Sequence, residues 1–419
     1  MELLYILLVL LFTTRLFGEL AERLGQPPLV GELVSGIILG TLVNRFSDVF
    51  PVLAGLQNNH VFNAITDLAI FFLMLLAGIE MHPRKLAEAS TGAFVVALGG
   101  MIVPMLVGLW LGWSFIPDSE YKVAQILFVA TSLAITAVPV AVKILMDLGK
   151  LQTRLGQTII SAAVIDDVLS LLLLAVLTSV IKTGGFPNPI QLLFMGLKIL
   201  TFFVVTGLIG HFIFPLGGKI LKSFRTDEID FSGLLVAALS FAVFAEMLGM
   251  HFILGAFMAG VFFIGQTVGQ TSYRAIKERL SGITEGFLGP MFFASIGMHL
   301  DITAAGSIPL FVLLLTIAAF LCKLVGAGLP AYWLKFSPRE AIGIGVGMSA
   351  RGAVELIIAD VALSSGLFLK PQPLPSIVKY MFSAVVIMAL TTTLLTPIVL
   401  KQIVGREVKK KPKPTFHQT

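Results

Sequence analysis

Apolar residues fall along this chain in runs of about twenty, separated by short clusters of charge, glycine and proline. Neither the two-residue alternation of a half-buried strand nor the one-sided stripe of a soluble helix is sustained. A helix needs roughly 20 mostly apolar residues to cross a bilayer. Thirteen stretches qualify, near 2–18, 29–43, 61–79, 91–115, 121–145, 155–181, 190–216, 231–249, 251–268, 281–299, 307–334, 340–363 and 376–402. The pattern predicts an all-α polytopic membrane protein of about 13 transmembrane helices. The links are short, so residues 1–402 read as one membrane domain, with 403–419 as a basic cytoplasmic tail.

Composition sharpens this picture. Hydrophobic residues make up 57% of the 419 and charged residues 13%, against about a quarter charged in soluble proteins. A water-soluble globule of this size would need more charge to cover its surface. The only cysteine, Cys322, lies in an apolar run, which excludes disulfides and cysteine-built metal centres. Met1-Glu-Leu-Leu has no basic segment and no small-residue cleavage site, so it reads as the start of a retained first span.

The net charge of +5 does not point to nucleic acid, because the basic residues gather in alternate links. Basic residues favour the cytoplasmic side. With the N-terminus outside, the cytoplasmic links and tail hold Arg23, Arg84, Lys85, Lys143, Lys150, Arg154, Lys219, Lys222, Arg225, Arg274, Lys277, Arg279, Lys335, Arg339, Lys401, Arg406, Lys409, Lys410, Lys411 and Lys413. The opposite side holds only Arg45, Lys122, Lys182, Lys370 and Lys379. The expected arrangement is N-out and C-in, with Lys409-Lys-Lys-Pro-Lys anchoring the tail or touching lipid.

Ionisable residues inside spans are costly and mark function by default. The central set is Asp166, Asp167, Lys323, Arg351 and Glu355, with Glu32, Asp67, Lys198 and Glu246 as lesser candidates. The last three of these lie near span ends, where a long side chain can reach the interface. Asp166 and Asp167 sit deep in an apolar run. Neighbours on a helix point about 100° apart, so the two carboxyls cannot share one environment. Lys323 lies mid-span and needs an acid partner or must lose its proton.

Two spans look broken. Ala130-Thr-Ser-Leu-Ala-Ile-Thr-Ala-Val-Pro-Val carries hydroxyls and a proline in span five, and Gly343-Ile-Gly-Val-Gly-Met-Ser-Ala-Arg-Gly carries four glycines in span twelve. Proline removes a backbone donor, and clustered glycines weaken a helix. The interrupted spans stand an odd number apart and therefore run antiparallel. That predicts an inverted repeat, spans two to six against nine to thirteen, whose two discontinuous helices cross at a midplane ion site.

These motifs have a known counterpart. Gly25-Gln-Pro-Pro-Leu-Val-Gly-Glu-Leu-Val-Ser-Gly-Ile-Ile-Leu-Gly, Phe72-Leu-Met-Leu-Leu-Ala-Gly-Ile-Glu-Met, Thr136-Ala-Val-Pro-Val, Ala162-Ala-Val-Ile-Asp-Asp-Val-Leu, Pro290-Met-Phe-Phe-Ala-Ser-Ile-Gly-Met and Ser349-Ala-Arg-Gly-Ala-Val-Glu-Leu occur in that order. Through them the chain resembles the monovalent cation:proton antiporter-2 family, with its Nap-type sodium/proton antiporters and Kef-type potassium efflux systems. The resemblance implies a homodimer in a bacterial inner membrane, with a moving core (about 91–181 and 307–402) and a dimerisation domain (about 1–79 and 190–299). It implies that Asp167 binds the monovalent cation or the proton, that Asp166 pairs with Lys323, and that an aspartate at 166 goes with electrogenic exchange. Thr131, Ser132 and Thr136 fall on the first crossing; Ser349, Arg351 and Glu355 fall on the second. No cofactor is implied. No Kef-type nucleotide-sensing domain follows the last span, so nucleotide gating within this chain is not expected.

A carboxylate that takes either a proton or a cation couples the two by competition, which favours a secondary antiporter. The Thr-Ala-Val-Pro crossing also resembles plant and fungal potassium/proton exchangers, leaving sodium and potassium both open, with lithium a further possibility. A channel would require a continuous pore with repeated pore loops, and no such loops occur. An intramembrane aspartyl protease needs its acids on separate helices, which adjacent Asp166 and Asp167 are not. The chain is not expected to be an enzyme.

Overall fold

A computed structural model describes residues 2–46, 51–54, 56, 59–81, 91–136, 145, 150, 152–183, 189–221, 229–263 and 269–404. Among the described residues there are helices and no strands. The long ones are α1 (Glu2–Arg23), α2 (Pro28–Arg45), α3 (His60–Glu80), α4 (Thr91–Phe115), α5 (Lys122–Ala134), α6 (Arg154–Thr183), α7 (Pro189–Leu221), α8 (Ile229–Met247), α9 (Phe252–Phe262), α10 (Gln270–Ile283), α11 (Gly289–His299), α12 (Pro309–Trp333), α13 (Pro338–Gly347), α14 (Ala353–Ser364) and α15 (Met381–Val404). Nine of the described helical stretches are long and apolar enough to cross a membrane, and α2, α5 and α9 are shorter apolar helices. The protein is an all-α polytopic membrane protein.

The element boundaries differ from the expected spans where local chemistry is strong. Span ten starts earlier than the apolar run suggests: α10 is amphipathic and joins α11 through a π-turn at Thr284–Leu288. Span twelve is two helices, as the glycines predict. Its first half starts at a capping box, in which the Ser337 hydroxyl accepts from the Glu340 N–H while the Glu340 carboxylate accepts from the Ser337 N–H. At about 1.5 Å per residue, the 10 residues of α13 and the 12 of α14 each reach roughly half-way through a bilayer. Span five also breaks: α5 ends at Ala134, and Ile135 and Thr136 are non-helical. Pro139, the links at 82–90 and 222–228, and the tail 405–419 lie outside the described residues.

Three pairs of glycines set how closely helices approach. A methyl on Gly36 (α2) would land on the Ala294 carbonyl, and one on Gly297 (α11) on the Leu33 carbonyl. Gly78 (α3) and Gly260 (α9) do the same to Phe257 and Leu75, and Gly99 (α4) and Gly326 (α12) to each other's carbonyls. Lipid gives helices no hydrophobic reason to associate, so close backbone contact through small residues carries the packing. Exchanging spans two and three for nine and ten turns the first pair into the second, and exchanging four for eleven leaves the third unchanged. That is the pairing an inverted repeat requires.

Two smaller clusters of buried side chains lie beside the main core. Val96, Ala97, Ile159, Ala163, Ala327, Ile344 and Leu400 pack together on α4, α6, α12, α13 and α15. Ile6, Leu10, Val43, Phe62, Met291 and Ala294 form another cluster on α1, α2, α3 and α11. Gly326→Ala is expected to lower thermal stability by about 1–3 kcal/mol, the usual cost of overpacking. Gly196→Ala, where nothing lies within 4 Å of an added methyl, should be neutral or stabilising by up to about 1 kcal/mol. Thermal melts of the two purified variants in one detergent check this.

Candidate ion site at the helix break

The last carbonyls of a helix have no partner within it, and α5 ends with four such groups inside the protein. Arg351 donates from Nη1 to the Ser132 carbonyl at 2.8 Å and from Nη2 to the Leu133 carbonyl at 2.8 Å. Nη1 also donates to the Ile135 carbonyl. Lys323 Nζ donates to the Ala134 carbonyl. Two cations from α12 and the second helix break thus satisfy the end of α5, where the helix dipole is negative. The first and second interrupted spans are joined by this contact.

Lys323 and Arg351 are both fully buried, and each has an acid beside it. Lys323 Nζ lies 3.4 Å from Asp166 Oδ2 and donates to Thr136 Oγ1 at 2.7 Å. Thr136 in turn donates to the Met348 carbonyl at 3.0 Å, crossing from one break to the other. Arg351 Nε lies 3.6 Å from Glu355 Oε2 in an ion pair too long for a hydrogen bond. Glu355 sits in the first turn of α14, the positive end of that helix.

Asp167 is the exception. One helical position beyond Asp166, it is half-buried where Asp166 is completely buried. Its Oδ1 is buried without a hydrogen-bond partner, and so is Oδ1 of Asp166. Three acids face two cations here. Asp166 goes with Lys323, Glu355 with Arg351, and Asp167 is left over.

The expected site residues therefore divide. Asp166, Asp167, Lys323, Thr136, Arg351 and Glu355 form one cluster, and Ser132 joins through its carbonyl while its hydroxyl stays unpartnered. Ser349 is buried but its hydroxyl bonds back to the Gly345 carbonyl at 3.0 Å. Thr131 is buried on α5 and makes no polar contact with the cluster among the described residues. Of the lesser candidates, Glu32 is buried with Arg15 Nη1 at 3.9 Å, while Lys198, Glu246 and Asp67 are exposed. Sequence reasoning missed Thr393 on α15, whose hydroxyl donates to the Arg351 carbonyl at 3.0 Å. Its signal was the run Thr391-Thr-Thr with Thr396 in an otherwise apolar span.

Residues 6–406 match the family described as sodium/hydrogen exchanger, transmembrane. The chain belongs to that family. Among its relatives within the exchanger family, the Na(+)/H(+)-K(+) antiporter GerN of Bacillus cereus is 34% identical over 402 residues, covering 96% of each chain. A Na(+)/H(+) antiporter of Enterococcus hirae is 29% identical, over 96% of this chain and 98% of its own length. In fold the chain resembles the sodium proton antiporter MjNhaP1 of Methanocaldococcus jannaschii, with a TM-score of 0.71 at 15% identity, over 97% and 99% of the two chains.

Arg351→Gln removes three bonds to the end of α5 and leaves Glu355 buried without a counter-charge. A loss of about 3–5 kcal/mol is expected, as for other broken buried pairs. Thr393→Val, which removes one hydroxyl bond to the Arg351 carbonyl, should cost about 1 kcal/mol. Denaturation of both variants against the parent protein tests the ranking.

Proposed function

We propose that this protein is a secondary antiporter exchanging a monovalent cation for protons by alternating access. The observation that carries the reading is Asp167, whose Oδ1 is buried without a hydrogen-bond partner beside the Asp166–Lys323 pair. A buried carboxylate oxygen with no protein donor is stabilised by a proton or a cation. Because one site cannot hold both, loading a cation on one side releases protons and the reverse on the other. Oxygen ligands suit hard cations, and the Bacillus cereus relative is named for both sodium and potassium. The cation is sodium or potassium accordingly.

Within the exchanger family we place the chain in the cation:proton antiporter-2 branch, on the motif set and the paired aspartates. Residues near 91–181 and 307–402 form the moving core, and those near 1–79 and 190–299 form the dimerisation domain of a homodimer. The two satellite clusters and the glycine pair within the core support that division. Exposed apolar faces on α1 (Leu4, Leu8, Phe12, Leu16) and α7 (Leu193, Leu197, Leu200, Leu208) suit lipid and the second copy. The alternation of basic links supports a reading with the N-terminus outside a bacterial inner membrane and the C-terminus in the cytoplasm.

Lys323 gives the exchange a second proton. Cation entry at Asp167 draws Asp166 from the ammonium, which then releases its proton; more protons than cations move, and voltage drives the cycle. In proteoliposomes carrying a preset proton gradient, sodium or potassium should collapse the gradient with the parent protein. Asp167→Asn should abolish this while the protein still folds, since an amide keeps the shape but exchanges nothing. Coupled exchange by that variant above protein-free liposomes would refute the assignment.

The pair itself is tested by a double-mutant cycle. Asp166→Asn alone leaves Lys323 uncompensated and should cost about 3–5 kcal/mol. Combining it with Lys323→Gln should be non-additive by about 0.5–3 kcal/mol. Voltage dependence, recorded for each variant, should weaken in Asp166→Asn. Additive losses with unchanged voltage dependence would remove the pair from the mechanism.

A further inference from the structure

Two hydrogen bonds cross the boundary between the proposed core and the proposed dimerisation domain. In the last turn of α6, Lys182 Nζ donates to the Gly249 carbonyl at 3.0 Å. Gly249 lies in the turn between α8 and α9 with φ at 84°; its N–H bonds back to the Glu246 carbonyl and the Met250 N–H to the Ala245 carbonyl. A left-handed glycine closes α8 in this way and turns its own carbonyl to a donor from another element. In the second bond the Asp301 N–H donates to Ser383 Oγ at 3.0 Å. Asp301 follows the end of α11 on the link to α12, and Ser383 stands in the first turn of α15. The Asp301 carboxylate accepts from the N–H and the hydroxyl of Thr303 at 2.9 and 2.6 Å, which fixes the link locally.

Both bonds lie at one membrane face. Successive spans alternate in direction, so α6, α8 and α11 end on the side where α9 and α15 begin. On the reading of the basic links that side is the outside. Deeper in the membrane, residues of α3, α11 and α14 share one apolar core. Apolar contacts re-form in a new register, whereas a hydrogen bond weakens steeply once its atoms move apart or out of line. Movement of α6 past the α8–α9 turn, and of α15 past the end of α11, breaks both bonds.

We propose that the Lys182–Gly249 and Asp301–Ser383 bonds form a latch that holds the outer face closed, so that the structure is the state in which Asp167 communicates with the opposite face. The latch opens for a cation to reach Asp167 from outside. Its two bonds open in one step because they span the same boundary. Lys182 and Asp301 are both exposed, so their donors are solvated again when the latch opens, and neither is left buried and unpaired. That keeps the latch breakable at each turnover, unlike the buried bonds that Arg351 makes to the end of α5. This inference rests on the exchange reading and on its domain division.

The test reads each bond from the site of the other, in the full-length protein. Lys182→Met should speed amide hydrogen exchange at Asp301–Thr303, which Lys182 does not touch, by about three- to ten-fold, the effect of one hydrogen bond lost from the closed state. Ser383→Ala should do the same at Leu248–Met250. Lys182→Arg and Ser383→Thr keep the bonds and should restore the parent rates, and the segment around Gly326 should not change in any variant. Apparent KM is then measured from each face in proteoliposomes sorted by orientation, with sodium and potassium chloride as separate probes. Lys182→Met and Ser383→Ala should lower the outer-face KM by the same factor, because a more populated outward state binds at a smaller penalty, and leave the inner-face KM nearly unchanged. Faster exchange confined to the substituted contact, or a KM unaltered or altered equally from both faces, overturns the latch alone. Faster exchange at every segment, Gly326 included, with a lowered melting temperature marks the bonds as structural and also overturns it. If Ser383→Ala does not fold, Lys182→Met, at an exposed side chain, decides by the same criteria. Parent protein without cation-triggered proton movement overturns the exchange reading first, and the latch with it.

Discussion

The structure depends on one constraint: peptide groups that leave a helix inside a membrane must find partners within the protein. Four consecutive carbonyls, Ser132 to Ile135, meet it by accepting from two side chains that arrive from other spans. Neutral donors would satisfy the carbonyls. Cations do more, because they also offset the negative helix end and give the neighbouring acids a counter-charge. Once Lys323 and Arg351 stand there, Asp166 and Glu355 can be buried beside them. The break in α5 is thus the reason that a charged cluster can exist at this depth at all.

The charges also explain why such a cluster would be responsive. Were every acid and base paired, the site would be inert and a buried network of this kind would serve shape alone. The surplus is a single carboxylate, half-buried on the helix that carries the Lys323 partner. One unit of positive charge completes the balance, whether it comes as a proton or as a cation. Thr136 matters here out of proportion to its size. Its hydroxyl accepts from Lys323 and donates to the Met348 carbonyl, so movement at one break is felt by the lysine at the other.

Much of this is legible in the sequence because lipid makes charge conspicuous. An aspartate in an apolar run of twenty must have a reason, and Asp166, Asp167, Lys323, Arg351 and Glu355 stand out on that ground alone. Glycines and a hydroxyl-rich stretch foretell the two breaks, since each weakens a helix through its own backbone chemistry. What does not show is partnership. Nothing in span thirteen says that Thr393 meets the Arg351 carbonyl, because that contact depends on how α15 lies against the break. Asp360 had the same signal as the central acids yet lies near a span end, where the interface is an adequate explanation; only its burial among packed helices sets it apart. The early start of span ten is hidden for a related reason: α10 is amphipathic rather than apolar, so hydropathy alone stops at the π-turn.

The helices that build the cluster are α5, α6, α12, the α13–α14 break and α15, and all lie on one side of the proposed domain division. That placement constrains how access could alternate. The bonds from Arg351 and Lys323 to the end of α5 are too many and too buried to be broken at each turnover. The glycine contact between α4 and α12 ties the same unit together by direct backbone contact. A rigid group of helices carrying an intact ion site, sliding against α2, α3, α9 and α11, needs none of those bonds to open. Those four helices are themselves locked by the other two glycine pairs. On the proposed division, what changes is the boundary, where α14 meets α11 and residues of α3 and α14 share a single apolar core. Apolar packing is the contact best suited to a sliding boundary, because it is non-directional and re-forms in a new register without leaving a polar group unpaired.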